Sequence, residues 1–160
     1  MPSRDDWEDI LEKKQDPKAI RIIRAVKKLE STGGSVFTIR ADVTDEKQMQ
    51  EVAAFIQKEF GRLNGIIHAA GVAGGGLMQL RKKDDIERIL KPKVEGTMIL
   101  DRVFSNIIED FFILCSSMTS LLGEIGQVDY CAANSFLDAF AHFKKRAGKE
   151  NVQVVNWFTW

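Results

Sequence analysis

Apolar positions along this chain keep two rhythms, and the switches between them mark its elements. Ser3-Arg4-Asp5-Asp6 has the form of a capping box, and Trp7, Ile10 and Leu11 after it predict a short amphipathic helix. Asp16-Pro17 predicts the start of a second helix, with Ile22, Ala25, Val26 and Leu29 as its buried stripe and Gly33-Gly34 as its end. Ser35–Ala41 is rich in β-formers and reads as a strand. Helical spacing returns at Met49, Val52, Ala53, Ile56 and Phe60, with Phe55 on the flank and Gly61 closing the helix. Asn64-Gly65-Ile66-Ile67-His68 reads as a second strand. Asp84 to Phe104 predicts a long helix interrupted at Pro92. The run Phe111-Phe112-Ile113-Leu114-Cys115 is short enough for a fully buried strand. From about Tyr130 the positions Ala133, Phe136, Leu137, Phe140 and Ala141 again keep helical spacing, and Val152–Trp157 reads as the last strand. Strands alternating with helices predict a parallel sheet covered on both faces, a Rossmann-type doubly wound α/β fold. With 160 residues, one domain over the whole chain is the expectation.

Composition narrows the setting without naming the chemistry. Lys+Arg and Asp+Glu are both 23, so no charge excess points to nucleic acid or an anionic membrane. No apolar run approaches the roughly 20 residues that a membrane span needs. The start, MPSRDDWED, is acidic and polar, unlike a signal peptide. Cys115 and Cys131 have neither metal-ligand spacing nor the number for a disulfide framework, so a reducing cytoplasm is the expected setting.

Candidate chemistry concentrates where the Phe111 run ends. The hydroxyl pair Ser116-Ser117 stands at the end of a buried strand, and a loop with Gly123 and Gly126 leads to the next helix. That is where α/β sheets place ligands, beyond the carboxyl ends of parallel strands. Tyr130 and Asn134 are four apart, so a helix sets them on one face. Ser117 lies thirteen residues before Tyr130, across a loop able to fold its hydroxyl toward the phenol. A serine, a tyrosine and a nearby cation suit reduction of a carbonyl. The hydroxyl donates a hydrogen bond to the oxygen, the phenol delivers a proton, and a cation lowers a phenol's pKa from its reference near 10.

Other positions read more weakly. Asp42, at a strand's carboxyl end, could accept from an adenine amino group, although an Asp there more often caps a turn or helix. Ala69-Ala70-Gly71 after the second strand would let a ligand approach the backbone closely. His68 reads as a satisfied core histidine rather than a base, and His142 has less to recommend it. The run Gly71 to Gly76 is not a phosphate loop. A GxGxxG begun at Gly74 needs glycine where Gln79 stands. It reads instead as a flexible active-site loop.

The segment SS…GQVDYCAANSFLDAFA resembles the active-site segment of the ketoreductase domains of modular polyketide synthases, members of the short-chain dehydrogenase/reductase superfamily. In that family the catalytic lysine lies on an earlier helix, in a segment like Lys91-Pro92-Lys93-Val94-Glu95-Gly96-Thr97. The match is Lys93, thirty-seven residues before Tyr130. The resemblance thus implies Lys93, Ser117, Tyr130 and Asn134 as catalytic. It implies a cofactor contact set of Asp42, Val43, His68, Ala69, Ala70, Gly71, Lys93 and Tyr130. The HAAG at His68–Gly71 and the Asn156, Trp157, Trp160 pattern of the last strand extend the likeness.

The implied activity is NADPH-dependent reduction of a β-keto acyl thioester, carried by phosphopantetheine on an acyl carrier protein, to the β-hydroxy thioester. The rest of the ketoreductase and the synthase modules are the implied further partners, with no nucleic acid and no membrane. Measured against the family domain, the chain lacks the opening strand, the Gly-rich turn that holds the pyrophosphate and the second strand. It is therefore expected to be the C-terminal portion of the catalytic subdomain, inactive alone, with unpaired sheet edges. The Leu-Asp-Asp of the D-alcohol class is replaced by Ala73-Gly74-Gly75, and the Trp of the opposite class by Leu122. This leaves the L-alcohol as the expectation. Two alternatives remain: a non-catalytic ketoreductase-like docking module, and a stand-alone oxidoreductase. The second is disfavoured because ordinary members exchange the places of the lysine and the asparagine.

Overall fold

A computed structural model describes residues 4–13 and 16–158, which fall into two compact units divided between Arg40 and Ala41. The first is helical. A single 3-10 turn at Arg4–Asp6 leads into α1 (Trp7–Lys13), and α2 (Pro17–Glu30) follows. Asp16 caps α2, its carboxylate accepting from the Lys18 and Ala19 amides at 3.0 and 2.9 Å, with Pro17 in the first turn where no donor is needed. Trp7, Ile23 and Val26 form the core, with Ile10, Leu11, Ile22 and Val36 against it. The buried stripe of α2 is Ala19, Ile23 and Val26, while Ala25 is exposed and Leu29 is 57% exposed. The apolar content of α2 allows either stripe, and the packing around Trp7 selects this one. Residue Ser3 of the expected capping box lies outside the described residues.

Ser35–Ala41, expected as a strand, is not one: no strand pairs with it among the described residues. β-propensity expresses fit to a pleated neighbour, and without a ladder it does not build a strand.

The second unit carries the sheet. Asp45 caps α3 (Glu46–Phe60) by accepting from the Gln48 amide, and Gly61 ends it at φ 71°, a left-handed turn that suits glycine. Then come β1 (Leu63–His68), α4 (Lys83–Phe104), β2 (Ile108–Ser117), α5 (Thr119–Leu122), α6 (Val128–Arg146) and β3 (Val152–Trp157). The strands are parallel in the order β1-β2-β3. Alternation along β2 turns Ile108, Phe112, Leu114 and Ser116 to the buried side. There Ile108, Phe112 and Leu114 meet Met49 of α3, Leu100 and Phe104 of α4, Leu137 and Ala141 of α6, and Val152 of β3. Within this unit the expected helical cover is thus seen on one face. On the opposite face Ile67 is 63% exposed and Phe111, Ile113 and Cys115 are half-buried.

Pro92 does not interrupt α4, which runs unbroken for 22 residues. Its buried positions Ile89, Lys93, Gly96, Thr97, Leu100 and Phe104 lie on both sides of the proline. Packing along that face outweighs a cost of about 3 kcal/mol for an interior proline. Gly96 is required by contact, since a Cβ there would stand 2.8 Å from Val43 Cγ1. No helix among the described residues is long and apolar enough to cross a membrane.

Candidate active site

Register creates the site. His68, the last residue of β1, pairs with Leu114, but β2 continues for three more residues alongside β3, to Ser117 opposite Trp157. Cys115, Ser116 and Ser117 therefore project past the end of β1, and a cleft of about 580 Å³ opens at these carboxyl ends. Its walls include Ala69, Gly71 to Gly74, Lys93, Cys115 to Ser117, Tyr130 and Trp157.

Ser117 is held at the strand end by its neighbours. Its Oγ accepts from the Thr119 amide at 3.3 Å and from Thr119 Oγ1 at 3.1 Å. Next to it, Asn156 Nδ2 on β3 stands 3.0 Å from Ser120 Oγ and 3.1 Å from both carboxylate oxygens of Asp138 on α6. This polar knot fastens β2, α5, α6 and β3 together immediately behind the serine. Asp138 and Ser120 were not among the residues marked in the sequence. Apart from the bond of Ser120 Oγ to the Ser117 carbonyl, the contacts that build the knot span 18 to 36 positions, beyond the reach of any local spacing.

Lys93 enters from α4. It is 6% exposed, and its Nζ donates to the Cys115 carbonyl at 2.8 Å. Burial pushes the pKa of its ammonium down, and electrostatic interactions with Cys115 and Asp138 oppose that shift. His68 is 3% exposed, with Nε2 3.2 Å from the Pro92 carbonyl. Burial, then the nearby Lys93 charge, lower its pKa to about 4 against the Pro92 hydrogen bond, so the ring is neutral at neutral pH.

Tyr130, half-buried in the first turn of α6, lines the same cleft. Asn134, one turn on, is fully buried. Its Nδ2 donates to the Tyr130 carbonyl at 2.8 Å, its backbone oxygen accepts from Ser116 Oγ at 3.2 Å, and its Oδ1 has no protein donor. The cleft thus gathers Lys93, Ser117 and Tyr130, with Asn134 behind the phenol-bearing turn rather than in the wall. Of the positions marked for a cofactor, Ala69, Gly71, Lys93 and Tyr130 line the cleft. Asp42, Val43, His68 and Ala70 do not. Asp42 Oδ1 accepts from the amide and hydroxyl of Thr44, which hold its carboxyl below the usual range, and Val43 packs on Gly96.

The run Gly71 to Gly76, expected as an active-site loop, is tethered at its far end, at Gly75 and Gly76. The Gly76 amide donates to the Gly126 carbonyl at 2.8 Å, and Arg81 Nη1 donates to the Gly75 carbonyl at 2.7 Å. Arg81 is also paired with buried Asp129, the residue before Tyr130.

Comparison with known proteins matches this geometry. The family model described as "KR domain" matches residues 5–160. The chain is 37% identical over 142 residues to the polyketide synthase PksN of Bacillus subtilis (strain 168), covering 86% of this chain and 3% of that protein. Among solved structures, an N-terminal ketoreductase from the macrolactin assembly line superposes with a TM-score of 0.83 at 31% identity, covering 91% of this chain and 30% of that one. A short-chain dehydrogenase/reductase from Burkholderia phymatum, solved in complex with NAD, gives 0.70 at 25% identity over 85% of this chain and 51% of its own. The chain thus spans a small part of the synthase and about a third of the ketoreductase it matches, and the fold is a partial Rossmann-like one. Because the family match runs through both compact units, this chain belongs to the KR domain family, the ketoreductase domains of polyketide synthases within the short-chain dehydrogenase/reductase superfamily.

Proposed function

We propose that this chain carries the reducing side chains of an NADPH-dependent β-ketoacyl reductase of a polyketide synthase, acting on a β-keto thioester that an acyl carrier protein presents on phosphopantetheine. The observation that carries the reading is the gathering of Ser117, Tyr130 and buried Lys93 in one cleft at the carboxyl ends of a parallel sheet. Both compact units belong to one catalytic subdomain in this reading, as the family match across residues 5–160 supports. The setting is a reducing cytoplasm, in keeping with the free thiols of Cys115 and Cys131.

The residues present fit the nicotinamide end of a dinucleotide. Ala69 and Gly71 supply a wall of small residues, and a Cβ at Gly71 would press on Lys93 Cε at 3.1 Å. Lys93 and Tyr130 would hold the ribose, and the cofactor when bound supplies a hydride. Ser117 Oγ, which now accepts from Thr119, has its own proton free to donate to the substrate carbonyl oxygen. Tyr130 gives that oxygen its proton as charge develops there. The ammonium of Lys93, fixed on the Cys115 carbonyl, supplies positive charge in a partly dry site. Asn134 Oδ1, buried without a protein donor, is an acceptor that would position a water or the lysine, which returns the proton to Tyr130.

The test is consumption of NADPH, against NADH, by the ketoreductase that carries this chain, with a β-ketoacyl thioester offered on an acyl carrier protein and as the free N-acetylcysteamine ester. Faster turnover with NADPH and with the carrier-bound ester is expected. Turnover with neither nucleotide would overturn the reading.

A further inference from the structure

We propose that Arg81 and Asp129 are a positioning pair for Tyr130, latching the glycine wall of the cleft to the first turn of α6; the proposal rests on the reductase reading above. Neither residue lines the cleft, and neither belongs to the lysine, serine, tyrosine and asparagine set. Arg81 Nε and Nη2 donate to Asp129 Oδ2 at 2.9 and 2.5 Å, and the side chains are 12% and 2% exposed. The third arm of the fork, Nη1, holds the Gly75 carbonyl at 2.7 Å. One guanidinium thus joins two segments 48 residues apart.

The other carboxylate oxygen, Asp129 Oδ1, accepts from the Tyr130 amide at 2.8 Å. Amides in the first turn of a helix lack intrahelical partners, and a carboxylate there is favoured by the helix dipole. The same oxygen bounds Gly74. A Cβ at that position would stand 2.9 Å from Asp129 Oδ1, 2.8 Å from Ile89 Cδ1 and 3.4 Å from Tyr130 Cβ. Glycine lets the wall close on the base of the tyrosine side chain, and the Gly76 amide ties the same wall to the Gly126 carbonyl, just before α6. A buried ion pair gives little stability over apolar residues of the same volume, so its contribution here is geometric. It fixes where the Tyr130 ring enters the cleft, and proton transfer is steep in that placement, a shift of about 1 Å costing on the order of a hundredfold.

The experiment compares Arg81→Ala, Asp129→Asn and the apolar pair Arg81→Met with Asp129→Leu in the ketoreductase that carries this chain. Each is expected to lower kcat about 10- to 100-fold while the KM for NADPH stays within about twofold. The apolar pair replaces the packing without the latch, so it decides the matter where a single variant does not fold. The second readout needs no turnover. Tyr130 is the only tyrosine of the chain, so ring-labelled tyrosine gives one NMR signal from this segment. That signal should move or broaden in the variants while core methyl signals stay in place. Full kcat in the apolar pair, or an unmoved Tyr130 signal in folded variants, would overturn the proposal. A wild-type protein that reduces no thioester defeats the reductase reading instead, and the NMR comparison still decides the latch.

Discussion

Residues 1–40 and residues 41–160 hold their shape by different means. The first unit closes two helices over Trp7, Ile23 and Val26. The second builds on β2, whose Ile108, Phe112 and Leu114 meet residues from three helices and another strand. All the cleft chemistry stands on that second framework. Buried polar groups separate the two as sharply. His68, Lys93, Thr97, Ser116, Asp129 and Asn134 are all buried in the second unit, and the first has no buried polar side chain among the described residues. Polar groups cost free energy to bury, so the unit that keeps them is the one organised around a task as well as around stability.

The comparison breaks most readily at the sheet. Phe112→Ala, at 1% exposure, should cost about 3–5 kcal/mol, read as a fall in the denaturation midpoint together with loss of the cleft. Unchanged stability in Phe112→Ala would mean that β2 is not the framework of the second unit.

A pH series comes next. The unfolded chain takes a proton on His68 near pH 6.5, and the folded one refuses it until about pH 4. Stability should therefore fall as pH drops through that window, by up to about 3 kcal/mol, and recover above it. His68→Gln should flatten the slope, and a slope unaltered by that change would place its origin elsewhere.

Gly96→Ala should cost about 1–3 kcal/mol by driving a methyl against Val43, seen as a lower melting temperature. Ile23→Val in the first unit should cost only about 0.5–1.5 kcal/mol and leave the kinetics of reduction untouched. A large kinetic effect from Ile23→Val would erase the distinction between the two units.

The sequence made legible whatever is local. The spacing of α6, the strand at Val152–Trp157 and the hydroxyl pair at the end of β2 follow from periodicity and turn residues alone. Resemblance added Lys93, which no spacing could have tied to Tyr130. What escaped is what tertiary contacts decide. Ser35–Ala41 has the composition of a strand but no ladder. Pro92 lies within a helix whose buried face holds it continuous. The stripe of α2 sits on Ile23 rather than Ala25 because Trp7 selects the face. Arg81 and Asp129 carry no local signal at all, being ordinary charges whose pairing appears only when the glycine wall folds against α6.

The most direct measurement is the rate of NADPH consumption with a β-ketoacyl thioester by the ketoreductase that carries this chain, wild type against Tyr130→Phe. Nucleotide affinity is measured in parallel. A loss in kcat on the order of a hundredfold to ten-thousandfold is expected, with nucleotide still bound. Undiminished turnover in Tyr130→Phe would contradict Tyr130 as the proton donor.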